Sequence, residues 1–508
     1  MPKTLVALFE DFRGPWLLAI LSPLVVSFTR LPLRWDEAFY LHRSVCVARA
    51  FWNASPAQID ACLQSMAKSP VMALLLIPGG PPRGDLEGLG VAPFILALAT
   101  GLAILALARL TAVARIPAPV ALLAAVAAVA APPLRTDAAI LFVDGFFAVI
   151  VACLAMAPFV EWQAPTPTLA SQLRRGAGWA LLLTLGMLSK TTFALFVLPI
   201  APAAVAASWL RSGGRATLAK LASATVGSLP LLLVFLRYGD KYYLHASSIS
   251  FGAAGAFLQL DLSPLQWLGQ TLAAVWALLL LTAALAGWAF LRPADRGRVV
   301  LAVWLGGFVI GYLALAAITP NKDPFFPYSR FNWPVWLAFP FCAAAAVKAS
   351  TETALARPGA RLVAAILVVA LATPMFDHLD WQSLRPALAT IERLPARTPA
   401  SVLLASDERD LNVETLQLAR QLQPERYSQL SIGTLAYDIV SNDKPDASIA
   451  RMAQADYVVG RFPVDPQAPV WTNKFVPAFQ AALEASGRPV EILDGARPIC
   501  IYGRAARP

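Results

Sequence analysis

The stretch "LPLRWDEAFYLHR" (31–43) sets Asp36 and Glu37 side by side just after an apolar run, with Arg34, Trp35, Tyr40, His42 and Arg43 around them. A carboxylate there can take up a proton, or it can do the ordinary work of a helix terminus. Asp is a good cap, and an acid in the first turn suits the helix dipole. Basic and aromatic residues at such a place are also common interfacial anchors. The pair by itself leaves both readings open. Two further acids, Asp137 and Asp144, stand seven residues apart and so share a helical face. Within an apolar helix Asp144 needs a polar cavity or a basic partner such as Arg135. Lys190, flanked by Ser189, Thr191 and Thr192, and the set Lys322, Tyr328 and Arg330 are donor clusters. Arg binds phosphate through its planar fork and Lys as a point charge, although either side chain alone is equally at home snorkelling to headgroups.

The elements that must position these residues are membrane spans. Of the 508 residues 58% are hydrophobic and 14% charged, with a mean hydropathy of +0.60, which excludes an ordinary soluble globule. Apolar runs near the 20 residues that cross a bilayer recur between 15 and 376, and no small-residue cleavage site follows the first. The net charge of +10 sits largely in short loops, as topology signals do, and is not a nucleic-acid patch.

The pattern predicts eleven spans, at 15–31, 91–108, 117–133, 138–159, 177–190, 192–209, 220–236, 267–290, 299–318, 331–348 and 361–376. The fifth and sixth form a helical hairpin with Lys190 at its tip, because a lysine midway along one lipid-embedded helix is costly. That choice also gathers Arg109 and Arg115, Arg174 and Arg175, 211–215, 292–298 and Lys348 to Arg361 on one face, as the positive-inside tendency favours. The fold class expected is therefore a polytopic α-helical membrane protein of about eleven transmembrane helices, its N-terminus cytoplasmic. Residues 1–376 form the membrane domain, with a long outer loop at 32–90 and a further loop at 237–266. His42, His245 and His378 all fall on the outer side.

Residues 377–508 change character. "SVLLA" (401–405), "DYVVG" (456–460), "VEIL" (490–493) and "ICIYG" (499–503) have the length and composition of short buried strands. "VETLQLARQLQ" (413–423) and "FVPAFQAALEA" (475–485) are amphipathic helices. They predict an extracytoplasmic α/β domain. "SDERD" (406–410) follows the first of these strands, either as a ligand contact or as a solvated turn leading into the helix. In the outer loop, Ala38, Leu41, Val45, Ala48 and Trp52 mark one helical face, with His42, Arg49 and Asn53 on another. A helix lying at the membrane surface is expected. Cys46 and Cys62 share this loop and are either a disulfide or two buried thiols.

With these features together, the chain resembles the GT-C membrane glycosyltransferases, especially the branch of the protein O-mannosyltransferases (glycosyltransferase family 39) and the lipid A aminoarabinose transferases. "RWDEAFY" is similar to the Asp-Glu motif of that family's first outer loop. "AKSPVMALLLIP" (67–78) is similar to its Lys/His-Pro-Pro-Leu segment. "GMLSKTTFALFVLP" (186–199) resembles its Ser/Thr-Lys hairpin, and "YSRFNWPVWLAFP" (328–340) its late Arg-Tyr/Phe segment. The acid that often precedes Lys-Pro-Pro in the aminoarabinose branch is replaced by Ala67, and Ser69 replaces the first proline. That departure counts against a metal site like the one in that branch.

The resemblance implies an inverting transfer of a sugar from a polyprenyl-phosphate donor to a lipid, glycan or protein acceptor at the outer face of a bacterial plasma membrane. It implies Asp36 as base, with Glu37 beside it, and Lys68, Lys190 and Arg330 as the cradle for the donor phosphate. Asp137, Asp144, Tyr40 and His42 would contact the acceptor or support the site. A divalent metal, if one is used, would sit on Asp36 and Asp137. The partners expected are the lipid-linked sugar and membrane lipids, with no nucleic acid; the sequence is silent on oligomeric state. The competing readings are a transporter or flippase with Asp144 and Lys190 along its path, and a non-catalytic assembly protein. A transporter would place most of its charges near the midplane and not at the rim.

Overall fold

The computed structural model describes residues 27–32, 35–64, 70–75, 77, 143–163, 168–190, 193–251, 296–318, 333–345, 377–380, 384–408, 410–435, 445–465, 473–495 and 497–503, with isolated positions at 99–116 and 263–283. The spans expected at 117–133 and 361–376 lie outside these residues, as does most of those at 15–31 and 267–290.

The segment expected as the first outer loop, called the first outer segment for that reason, comprises β1 (Ser27–Pro32), α1 (Trp35–Trp52), α2 (Pro56–Gln64) and α3 (Val71–Leu75). The bundle follows as α4 (Val143–Ala155), α5 (Ala157–Gln163), α6 (Leu169–Ser189), α7 (Phe193–Ser212), α8 (Gly214–Gly227), α9 (Leu229–Phe251), α10 (Arg296–Ile318) and α11 (Trp333–Ala345). Among the described residues, two helical stretches are long and apolar enough to cross a membrane: 146–163, which steps at Met156, and α7. The pair formed by α8 and the first half of α9, bent by 45°, makes a third if it is one span.

Every residue from Phe146 to Glu161 is buried. A helix apolar on all sides belongs at the centre of a bundle, and α6, α7, α10 and α11 surround this one. The chain breaks after Ser189: Lys190 is extended (φ −154°, ψ 137°), its N–H closing the last turn on the Gly186 carbonyl, and a new helix starts at Phe193. Two helices meeting at Lys190 have thus formed in place of one long one. Helices α6 and α8 approach closely because Gly176 lies against the Lys220 carbonyl, where a Cβ would collide.

Charges collect at the far end of the central helix. Glu161, buried, pairs with buried Lys220, lies 3.5 Å from Arg175 and accepts from Trp179 Nε1 at 3.2 Å. Lys220 also donates to Ser208 Oγ (2.9 Å), which bonds Thr217. Arg211 donates to the Trp162 carbonyl and stacks on its ring, and Arg298 donates to the Ala114 carbonyl. Segments around 114, 175, 211 and 298 therefore meet at one end.

Three boundaries differ from the expectation. Residues 27–32 form a strand, not the end of a helix, since Ser27, Arg30, Leu31 and Pro32 find parallel partners in β2 (Asp377–Asp380). The helix expected at 138–159 runs on to Gln163, carrying Glu161 to its bases. The loop expected at 237–266 is helical as far as Phe251, because Arg237 and Tyr238 are held by the first outer segment.

The C-terminal unit continues from β2 through α12 (Arg385–Arg393), β3 (Ala400–Leu404), α13 (Val413–Leu422), β4 (Leu430–Thr434), α14 (Asp446–Gln454), β5 (Tyr457–Gly460), α15 (Val476–Ala485), β6 (Val490–Leu493) and β7 (Ile499–Tyr502). The sheet order is β4-β3-β5-β7-β6, with β4, β3 and β5 parallel and β7 antiparallel to both neighbours. Alternation sends Val402 and Leu404 to the face covered by α12 and α13, and Leu403 to the face covered by α14 and α15. Stretch 406–410 is not a solvated turn. Ser406, Asp407 and Glu408 are buried, and Glu408 accepts from Arg461 and Arg497, which also bind Asp410 and Asp465. The two arginines, distant in sequence, are what make burial of Glu408 tolerable.

Removing one member of the Glu161–Lys220 pair strands the other in an apolar interior, at a cost of about 3–5 kcal/mol. Lys220→Met is expected to lower the melting temperature of the detergent-solubilised protein sharply, and Glu161→Gln/Lys220→Met to recover most of the loss. A single variant that melts with the wild type would remove the pair from the account.

Candidate active site

Helix α1 starts at Trp35, so Asp36 and Glu37 lie in its first turn, one step inside the cap. There the helix dipole favours the ionised carboxylate. The side chains of Asp36, Glu37 and Tyr40 fall outside the described residues. Ala38, Leu41, Val45 and Ala48 are buried as the spacing predicts, the first three in one continuous apolar cluster with Phe146, Phe147 and Phe193 of the bundle. Trp52, assigned to the same face, is exposed.

At His42 and Arg49 the polar face of α1 is covered by the C-terminal unit. His42 is fully buried, with Nδ1 3.0 Å from Glu414 Oε2 of α13, and Arg49 Nη2 donates to the Gln421 carbonyl at 2.9 Å. Both contacts have the same sequence offset, and each helix contributes residues seven apart. The two helices therefore run parallel over two turns. His42 thus supports the first outer segment through Glu414. Burial pushes its imidazole below the ordinary value, while Glu414 pulls the other way and Arg43 and Arg420 add to the depression.

A second fastening lies at the other end of α1. A Cys46–Cys62 disulfide joins α1 to α2. Asp60 on α2 accepts from Arg237 Nη2 (2.9 Å), Tyr238 Oη (2.6 Å) and Gln64 Nε2 (2.6 Å). These donors, Arg237 foremost, hold the Asp60 carboxyl down at about 2. Val47, Ala50, Cys62, Ala73 and Tyr238 form a small core beneath.

Lys190 projects where α6 and α7 meet, with Nζ 5.9 Å from the centroid of the Phe147 ring. Asp144 stands three residues before Phe147 in α4 and so shares that helical face, though its side chain is outside the described residues. The structure brings Lys190 and the Asp144 position to the same end of the central helix. Ser189 is not a free donor: it is buried and its hydroxyl is spent on the Leu185 carbonyl at 2.6 Å. Lys68, Asp137, Thr191, Thr192, Lys322, Tyr328 and Arg330 lie outside the described residues. Arg330 precedes α11, which packs on α4, and Lys68 precedes α3, which packs on α1 and α6.

The divalent-cation expectation rests on Asp36 and Asp137, neither of whose side chains is described. Among the described residues no group of three or more His, Cys, Asp or Glu gathers to hold a metal. Sequence reasoning missed Glu414, Asp60 and Glu161. Nothing local in the sequence points to Glu414, whose partner His42 lies far upstream.

No family model matches the sequence, and no curated protein is significantly similar to it. Solved structures are. ArnT from Cupriavidus metallidurans bound to undecaprenyl phosphate superposes with a TM-score of 0.57 over 99% of this chain and 98% of that one, at 14% identity. The fold is that of ArnT. The apo form of the same protein gives 0.53 over 98% and 97% at 15% identity. The likeness of fold extends along nearly the whole chain.

Since folding holds His42 below its ordinary pKa, the unfolded chain takes up a proton that the folded chain does not. Stability is full above about pH 6.5 and is lost as pH falls below it. The melting temperature of the purified protein is expected to drop between pH 7.5 and 5.5. His42→Gln should flatten that dependence; an equal slope in the variant would show that His42 is not its source.

Proposed function

We propose that the chain is an inverting glycosyltransferase that moves a sugar from a polyprenyl-phosphate donor to a lipid, glycan or protein acceptor at the outer face of a bacterial plasma membrane. The observation that carries this reading is the likeness of fold along the whole chain to ArnT, a protein crystallised with undecaprenyl phosphate. The position of Lys190 supports it: a cation at a helix break beside the acid-bearing face of α4 suits a lipid-borne phosphate arriving at the rim.

The chemistry asks little more. Asp36 takes the proton of the acceptor hydroxyl as its oxygen bonds to C1 of the sugar. The C1–O bond to phosphate breaks, and its electron pair leaves with the polyprenyl phosphate. That leaving group carries its charge into the cradle of Lys68, Lys190 and Arg330, which replaces a general acid. With no covalent sugar–enzyme step, a single displacement inverts the anomeric carbon. Glu37, Tyr40, Asp137 and Asp144 orient the acceptor or support the base.

The eleven-span topology belongs to the same proposal, with residues 1–376 in the membrane domain and 377–508 outside. The parallel pairing of β1 with β2 and the packing of α1 on α13 support it, because residues 27–52 and 377–422 must then lie on one side. That requires an even number of crossings between them, and spans two to eleven supply ten.

Deleting the gene is expected to remove one glycan or glycolipid from the envelope, read by mass spectrometry, with wild-type chain restoring it. Asp36→Asn should lower transfer about 10²–10⁴-fold while the protein still folds and inserts. Restoration at the wild-type rate by that variant would sink the assigned base. A reporter fused after Pro508 should be active only outside the cytoplasm, and the opposite result would overturn the topology.

A further inference from the structure

Helix α1 carries the assigned base in its first turn, and its next two turns are gripped from opposite sides. The bundle takes Ala38, Leu41 and Val45, and the C-terminal unit takes His42 and Arg49. We infer that α13 of the C-terminal unit is a positioning element of the transfer site, with Glu414 as its principal residue acting through His42 on the Asp36-bearing turn of α1. The inference rests on the function proposed above.

The geometry is specific to that role. Glu414 sits in the first turn of α13, whose cap Asn412 is itself buried and accepts from the Glu414 and Thr415 amides at 3.1 and 3.0 Å. Asn412 Nδ2 in turn donates to the Glu408 carbonyl at 3.0 Å, and Glu408 is locked by Arg461 and Arg497. The carboxylate reaching toward α1 is therefore mounted on the most heavily bonded corner of the sheet. Its target, His42, lies six residues beyond Asp36, under two turns along the same helix, or about 9 Å of rise. Rotation of α1 about its axis would carry Asp36 around the helix. The Arg49–Gln421 hydrogen bond, being directional, and the close His42–Glu414 contact resist that rotation.

A residue that only stabilised the fold would reduce activity in proportion to the folded protein lost. A positioning residue reduces turnover per folded molecule and leaves carrier binding alone. Transfer would be measured in native membranes per mole of folded full-length chain, and undecaprenyl phosphate affinity on the purified protein. Glu414→Leu is expected to slow transfer tenfold or more with affinity unchanged within twofold. Glu414→Gln, which keeps an acceptor for His42, should retain more than half the rate. Should Glu414→Leu fail to fold, Arg49→Met tests the second contact, with a several-fold slower transfer expected. Wild-type turnover in the variants that fold, or losses of turnover and affinity that only track folded protein, would overturn the inference. Wild-type turnover in Asp36→Asn would instead overturn the proposed function, so the two failures are distinguishable.

Discussion

A helix buried on every side has nowhere along its length to put a charge, and the helical stretch from Phe146 to Val160 is that constraint in this fold. Asp144 stands near one end and Glu161 near the other, about 25 Å apart at helical rise, close to the thickness of a bilayer core. The neighbours are sorted by the same rule. Helices α6 and α7 put Lys190 at the Asp144 end, and they send Arg175 and Arg211 to the Glu161 end along with Lys220. The apolar middle is then free to pack by size, with Phe147, Phe193 and Phe196 edge to face.

The second dependence is that α1 cannot hold itself. It is an outer-loop helix with polar and apolar residues on different faces, and neither the bundle nor the sheet alone covers it. Between them they bury seven of the ten residues 41–50 and partly cover the other three. Its core cluster runs unbroken from the bundle through Leu41 and Val45 to Leu416 and Val402 of the C-terminal unit. The C-terminal unit is thus not a separate body tethered by a linker. The disulfide fixes α2 to α1, and the Asp60–Arg237–Tyr238 contact fixes α2 to α9.

What the sequence made legible follows from the range of each signal. Strands 400–404, 457–460, 490–493 and 499–502 and helix 413–422 declare themselves through local apolar pattern. Strand 430–434, "LSIGT", does not, because Ser431 and Gly433 dilute it and only its parallel pairing to β3 makes it a strand. The break at Lys190 was legible since one lysine in an apolar run has few places to go. The burial of Glu408 was not, because Arg461 and Arg497 lie 53 and 89 residues away. The polar face of α1 looked like a surface for the same reason: its cover is 372 residues downstream. Of the assigned site, the helix carrying Asp36 and Glu37 and the tip at Lys190 could be read in advance, whereas the supports of that helix could not.

Two independent tendencies bear on which end faces out. Basic side chains from loops far apart in sequence, at 175, 211 and 298, gather around the Glu161 end, and cytoplasmic loops are the ones that accumulate Lys and Arg. At the opposite end, reached by α8 and α9, stand the first outer segment, the Cys46–Cys62 disulfide and, through α1, the C-terminal unit; disulfides persist in oxidising compartments. Neither tendency knows of the other, since one concerns insertion and the other redox chemistry. Both favour the polarity that a lipid-linked donor in the outer leaflet would require, with Lys190 and the first turn of α1 on the side where its phosphate sits.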